Sequence, residues 1–235
     1  MARAGPSDAV NAADAVLFDL FHTLTSIDIV KTWRPPTHEI LGVTREAWLE
    51  QVFGASRDRL IGKVRDPMTM MRTMAHAIDP AIPAETIEEA TRNRQRRFHN
   101  ALTHMPDATG DVLEALRAKG KKLGLVSNAD AMEIAAWDES PVAGLFDYVA
   151  FSCDVGYAKP EPEIYELCLD NLGVKPDGAV FVGDGGSDEL RGAKAIGLTT
   201  VMMTGVIREM WPERIEPRLP YADFVIEKLD ELVSA

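Results

Sequence analysis

The sequence predicts an α/β chain, a parallel sheet flanked by helices, with an all-helical domain inserted after the first strand. Three observations predict it. Ala15, Val16, Leu17 and Phe18 form an apolar run with no polar break, and a strand covered on both faces belongs inside a mostly parallel sheet. From Pro106 onward, strand-length apolar runs alternate with amphipathic stretches, which implies right-handed β-α-β crossovers. Between Thr25 and about residue 103 only helical patterns occur.

The elements follow in order. Residues 1–13 are small and polar and read as a loose tail rather than a signal peptide. The first strand ends at Asp19, with Phe21, His22, Thr23 and Thr25 in the turn beyond it. In the inserted block, Thr44 starts a segment with Ala47, Trp48, Val52 and Phe53 at helical spacing. Asp66-Pro67 reads as an N-cap followed by a first-turn proline. It opens a helix with Met68, Met71, Ala75 and Ile78 on one stripe. Pro83 opens another, with Ile87, Ala90, Phe98 and Leu102 apolar. After Pro106, Val112, Leu113 and Leu116 mark a helix stopped near Gly120. Leu123–Val126 is a strand ending in Ser127-Asn128, and Tyr148–Phe151 is another, followed by a loop to Lys159-Pro160. Ile164, Leu167, Cys168 and Leu172 make an amphipathic helix that Gly173 stops. Ala179–Val182 is a strand running into Gly183-Asp184-Gly185-Gly186-Ser187-Asp188, then a helix to Ile196. Thr199–Met203 and Phe224–Ile226 supply further strands, and a last helix carries Leu229, Leu232 and Val233. The expected organisation is a tail over 1–13, a core over 14–24 and 104–235, and a helical cap over 25–103.

Composition narrows the function. A net charge of −12 argues against nucleic acid or an anionic membrane as partner, without forbidding a local pocket for a small anion. Two cysteines, Cys153 and Cys168, point to a reducing compartment and no disulfide framework. No stretch approaches the roughly 18 apolar residues of a membrane span. The expectation is a cytoplasmic protein, monomer or homodimer, acting on a small and anionic molecule.

In a parallel sheet the carboxyl ends of strands share one edge, where ligands bind. That edge collects Asp19, Ser127, the loop lysine Lys159 and the pair Asp184 and Asp188. These are the parts needed to move a phosphoryl group. A carboxylate attacks, acids hold Mg²⁺ through oxygen ligands, and a hydroxyl and an ammonium neutralise phosphate oxygens.

Phe18-Asp19-Leu20-Phe21-His22-Thr23-Leu24, Val126-Ser127-Asn128, Ala158-Lys159-Pro160-Glu161-Pro162 and Val182–Gly192 together resemble the haloacid dehalogenase superfamily of hydrolases, in the branch with a helical (C1-type) cap after the first strand. The four motifs stand in family order and span nearly the whole chain. The resemblance implies a Rossmann-like core and an aspartyl-phosphate mechanism. It makes Asp19 the nucleophile, with Ser127, Asn128 and Lys159 binding the transferred group. It places Mg²⁺ on Asp19, the Phe21 backbone carbonyl, Asp184 and, directly or through water, Asp188. One departure matters: family phosphatases carry a second Asp two residues after the nucleophile, where this chain has Phe21. The dehalogenase branch has an aromatic there but does not keep the acidic pair. A metal-independent C–X bond hydrolase, or a catalytically weak binding protein on the same fold, are therefore the alternatives.

Other residues have plainer readings. His22 stands where the family usually has Gly and is a second candidate for proton transfer. Lys63 lies at the distance of a phosphonatase Schiff-base lysine, in an unpersuasive context. Tyr165 resembles a dehalogenase residue. Arg92, Arg94, Arg96 and Arg97 read as a solvated helix face, and Met68, Met70, Met71 and Met74 as adaptable packing. Trp33 and Arg34 are candidates for the pocket wall. The five histidines show no zinc spacing.

Overall fold

The structure, a computed structural model, describes residues 5–27 and 35–234. Trp33 and Arg34 lie outside the described residues. Helices α1 (Pro6–Ala12), α2 (Thr37–Leu41), α3 (Arg45–Leu49), α4 (Arg57–Leu60), α5 (Pro67–Ile78), α6 (Ala84–Thr103) and α7 (Asp107–Ala118) are followed by α8 (Ser152–Val155), α9 (Pro162–Leu172), α10 (Glu189–Ala195) and α11 (Gly205–Met210). The strands are β1 (Ala15–Phe18), β2 (Lys122–Ser127), β3 (Tyr148–Phe151), β4 (Ala179–Gly183), β5 (Thr199–Met203) and β6 (Phe224–Ile226). They form one sheet in the order β3-β2-β1-β4-β5-β6, and every pairing is parallel.

β1 lies at the centre, paired with β2 on one side and β4 on the other. Its residues alternate between two cores, as the two-residue period of a strand requires. Val16 and Phe18 pack with Val112, Leu113 and Leu116 of α7 on one face. Ala15 and Leu17 pack with Ile164, Tyr165 and Cys168 of α9 on the other. Both cysteines are unpaired and buried.

Beyond Thr25 the described residues of the block between β1 and α7 form helices and turns, with no strand among them. Asp66 caps α5 as its sequence suggests, its carboxylate accepting from the Thr69 N–H at 2.8 Å. The block has a hydrophobic cluster of its own, built from Trp48, Met70, Met71, Met74, Ile87 and Ala90. Met132, from the loop after β2, is buried in that same cluster. A π-helical turn over Glu50–Gly54 continues α3 through Val52 and Phe53, as their spacing indicates. No described helix is long and apolar enough to cross a membrane.

Two expectations are corrected. The last helix is a single 3₁₀ turn, Leu229–Leu232. The tail is not loose over 6–12: Pro6 stands in the first turn of α1 and Asp8 accepts from the Gly5 N–H at 2.8 Å. One apolar side chain, Val10, anchors α1 with 0% exposure in the β1 core. A single valine in a polar stretch carries no periodicity, so its burial is a tertiary effect. Val10→Ala should therefore cost about 1.5–3 kcal/mol in urea denaturation; a loose tail would give no change.

Candidate active site

Asp19 is the first residue beyond β1. Its N–H donates to the Val182 carbonyl at 2.9 Å, so the ladder with β4 fixes the backbone that carries the carboxylate. Asp19 as a whole is only 6% exposed. One oxygen, Oδ1, accepts from Lys159 Nζ at 2.5 Å, and Oδ2 accepts from Thr23 Oγ1 at 3.1 Å. Lys159 also donates to Glu189 Oε2 at 2.5 Å. Asp19, Asp184 and Glu189 bring carboxylate oxygens within 4.8 Å of one another, all buried.

The electrostatics follow from three buried carboxylates around one buried ammonium. Burial alone disfavours the Lys159 cation, but Asp19 and Glu189 outweigh it and hold its pKa up at about 12. Burial raises the Asp19 pKa, with Lys159 opposing and Asp184 adding to the rise. Glu189 is pushed well above the usual carboxylate range by burial and then by Asp19. The cluster has an excess of negative charge and all-oxygen donors, the set a hard divalent cation takes.

Asp184 holds its place through the Gly186 N–H on Oδ1 at 2.8 Å and Arg218 Nη1 on Oδ2 at 3.0 Å. Asp188 is not brought into the cluster. Its side chain is 57% exposed and paired with Arg191 at 2.8 Å. The reason is the turn before α10, where Gly185, Ser187 and Asp188 all have positive φ, at 88°, 52° and 55°. That reversal carries Asp188 outward and the next acid, Glu189, inward, where the Gly185 N–H donates to its Oε1 at 2.8 Å. Gly183 makes room, since a Cβ there would collide with the Glu189 carboxylate. Two adjacent acids at the start of a helix were the sequence signal. Only the backbone turn decides between them.

Ser127 ends β2 with its hydroxyl buried and without a hydrogen-bond partner among the described residues. Asn128 lines the cavity, but both ends of its amide are taken by the Lys159 backbone. Its Nδ2 donates to the Lys159 carbonyl at 2.8 Å, and its Oδ1 accepts from the Lys159 N–H at 2.7 Å. It is a brace for the lysine loop. Tyr165 donates to the Glu189 carbonyl at 2.8 Å, so it too acts on the frame. Lys63 is exposed and paired with Asp58 at 3.1 Å, apart from the cavity.

The cavity above these groups measures about 470 Å³. Phe21 lines it and meets the Phe98 ring edge-on at 5.3 Å. His22, at φ 66°, packs its ring against Trp211 at 5.2 Å. Arg94 corrects the expected solvated face: it is 3% exposed and lines the cavity, while Arg92 and Arg96 are exposed. Arg59, Glu133, Trp211 and Arg218 also line it, and none was singled out by motif. Arg94 was legible in retrospect, because it falls on the apolar stripe of Ile87, Ala90, Phe98 and Leu102.

Lys159→Met tests the balance of charge. Removing one partner of a buried ion pair costs about 3–5 kcal/mol. Asp19 and Glu189, already raised, rise further without the ammonium, so the folded variant holds protons that the unfolded chain releases. Its stability deficit should widen as the pH rises above the ordinary carboxylate range in melting experiments.

Comparisons with known proteins bear on the family and the fold. The family model of haloacid dehalogenase-like hydrolases matches residues 13–197. The phosphoglycolate phosphatase of Shigella boydii serotype 4 is 29% identical over 230 residues, 95% of this chain and 84% of that one. A glyceraldehyde 3-phosphate phosphatase of Methanothermobacter thermautotrophicus is 29% identical over 126 residues, 51% of this chain and only 54% of its own length. The crystal structure of a HAD phosphatase from Thermococcus onnurineus is 27% identical, with TM-score 0.61 over 93% of this chain and 95% of that one. A dehalogenase structure, 21% identical, shares the fold with TM-score 0.66 over 94% of this chain and 96% of that one. The matched segment holds both the strand that delivers Asp19 and the loop that delivers Asp184 and Glu189, and the chain belongs to the haloacid dehalogenase-like hydrolases.

Proposed function

We propose that this hydrolase is a Mg²⁺-dependent phosphohydrolase that cleaves a small phosphorylated metabolite through an aspartyl-phosphate on Asp19. The observation that carries the reading is the convergence of Asp19, Asp184 and Glu189 within 4.8 Å around a single buried lysine. Relatives named for phosphoglycolate and glyceraldehyde 3-phosphate support a small phosphoester. Asp19, Asp184, Glu189 and the Phe21 carbonyl would hold the cation. When bound, Mg²⁺ supplies Lewis-acid neutralisation of phosphoryl charge.

The chain's own residues do the rest. An Asp19 oxygen attacks phosphorus and the ester oxygen departs; water then attacks the acyl phosphate and frees Asp19. Thr23 and Lys159 orient the carboxylate before attack. Lys159 and the unpartnered Ser127 hydroxyl take the phosphoryl oxygens. Phe21 donates no proton, so the enzyme favours leaving groups that depart without one, a loss of roughly 10²–10⁴-fold for simple alkyl esters. The described helices between Thr25 and Thr103 form the cap that shields the site from water, over the sheet and its flanking helices. Two unpaired cysteines support a cytoplasmic setting.

A substrate panel tests the reading: phosphate esters, acyl phosphates, phosphonates and haloacids, each with Mg²⁺ and with chelator. Phosphoester turnover should require Mg²⁺ and vanish in Asp19→Asn. Chelator-resistant release of halide would replace it with C–X bond hydrolysis, the reading that the aromatic Phe21 favours. Glu189→Gln should weaken Mg²⁺ binding by about tenfold or more, and exposed Asp188→Asn by less than about twofold. The reverse ranking would return the ligand role to Asp188.

A further inference from the structure

The stretch between β5 and β6 enters the site from a side that no motif marks. Ile207 is buried in the core on the α9 face of the sheet, and Trp211, Ile215 and Leu219 pack against that core. The four recur every fourth residue, so α11 and the 3₁₀ turns after it, Pro212–Arg214 and Glu216–Tyr221, keep one apolar side inward. Arg218 stands immediately before Leu219 and lines the cavity with Asp184. Its guanidinium reaches that one residue twice: Nη1 donates to the Asp184 carbonyl at 2.8 Å and to Asp184 Oδ2 at 3.0 Å. Its aliphatic stem lies along Gly185, where a Cβ would meet Arg218 Cδ at 2.8 Å. The pair is largely withdrawn from water, with side chains 17% and 9% exposed.

The three carboxylates of the cluster are not held alike. Lys159 holds Asp19 and Glu189. The third, Asp184, is held by the Gly186 N–H and by Arg218. Carboxylate oxygens of all three lie within 4.8 Å of one another, close enough to repel strongly away from bulk water. Repulsion pushes the third carboxylate out of the cluster, and the Arg218 contact opposes it.

We propose that Arg218 is a positioning residue: it keeps the Asp184 carboxylate turned into the cluster and thereby raises the affinity of the site for a divalent cation. The assignment rests on the reading of Asp19, Asp184 and Glu189 as a cation site. Two effects of the guanidinium oppose each other there. Its charge repels an incoming cation, while its hydrogen bonds hold a ligand against the push of two other carboxylates. Positioning prevails, because the guanidinium charge is already spent on Asp184 at 3.0 Å. Partners that orient a metal ligand from behind are worth about ten- to a hundredfold in affinity.

The test is calorimetric titration of the metal-stripped full chain with Mg²⁺, repeated with Mn²⁺ by counting the unbound ion in electron paramagnetic resonance. Arg218→Met removes the hydrogen bonds and the charge together, and should weaken binding of both ions by about tenfold or more. Arg218→Lys keeps a charged donor and should recover part of that loss. Arg191→Met removes an equal charge from the exposed pair with Asp188, and should change affinity by less than about twofold. Melting curves of the metal-free proteins separate folding from binding, and Arg218→Gln replaces Arg218→Met if the latter does not fold. Unchanged or tighter cation binding in the folded variant overturns the assignment, whatever its melting temperature. An equal loss in Arg191→Met overturns it too, since the effect then does not belong to the Asp184 contact. The two readings fail separately. A wild-type chain that binds neither ion discards the cation site and this assignment with it. Wild-type binding that Arg218→Met leaves intact discards the assignment alone.

Discussion

One ammonium held among buried carboxylates is the constraint on which the site depends. Lys159 reaches Asp19 and Glu189 from a loop 140 residues beyond the first and 30 before the second. A cation so buried is tolerable only because both partners are in place. The surrounding chain is arranged to keep them there. Asn128 grips the lysine backbone on both sides, Tyr165 holds the carbonyl of Glu189, and the bare Cα of Gly183 leaves space for its carboxylate. These contacts come from the ends of β2 and β4 and from α9, so the rigidity of the site is that of the central sheet.

The departure at Phe21 is absorbed by packing. Two residues beyond Asp19, the Phe21 ring meets Phe98 of α6, and the guanidinium of Arg94 covers the Phe98 ring. The helical block thus supplies both the apolar and the charged parts of the cavity wall opposite the sheet. The carboxylates and the lysine come from the sheet edge, and these aromatic and guanidinium groups come from the helical block.

The sheet was legible because each strand is a short apolar run bounded by polar turns, and the helices of the core because Gly120, Gly173 and Gly197 end them. Asp19, Lys159 and Asp184 were legible because strand ends in a parallel sheet must converge. The rest depended on geometry that no pattern encodes. Glu189 was passed over for Asp188 because positive φ at Ser187 and Asp188 is not a property of those residue types. Asn128 has the right position for substrate but spends its amide on backbone. Arg59 was hidden because it sits on a helix of only four residues, too short to show a face. Arg94 stood in plain view on an apolar stripe, and its charge led to the wrong side of the helix. Val10 failed for the opposite reason, a lone apolar residue whose partners are all distant in sequence.

Met132 ties the two halves together more tightly than their separate cores suggest. It belongs to the loop that leaves the sheet at Ser127, yet its side chain is embedded in the cluster of the helical block. The block therefore cannot swing away as an independent lid. It must either drag the Ser127 loop with it or extract a thioether from its own interior, at a cost of about 1.5–3 kcal/mol. Mechanically the loop is a tether with one end at the carboxyl edge of the sheet, so the position of the Ser127 hydroxyl reports how far the halves have parted.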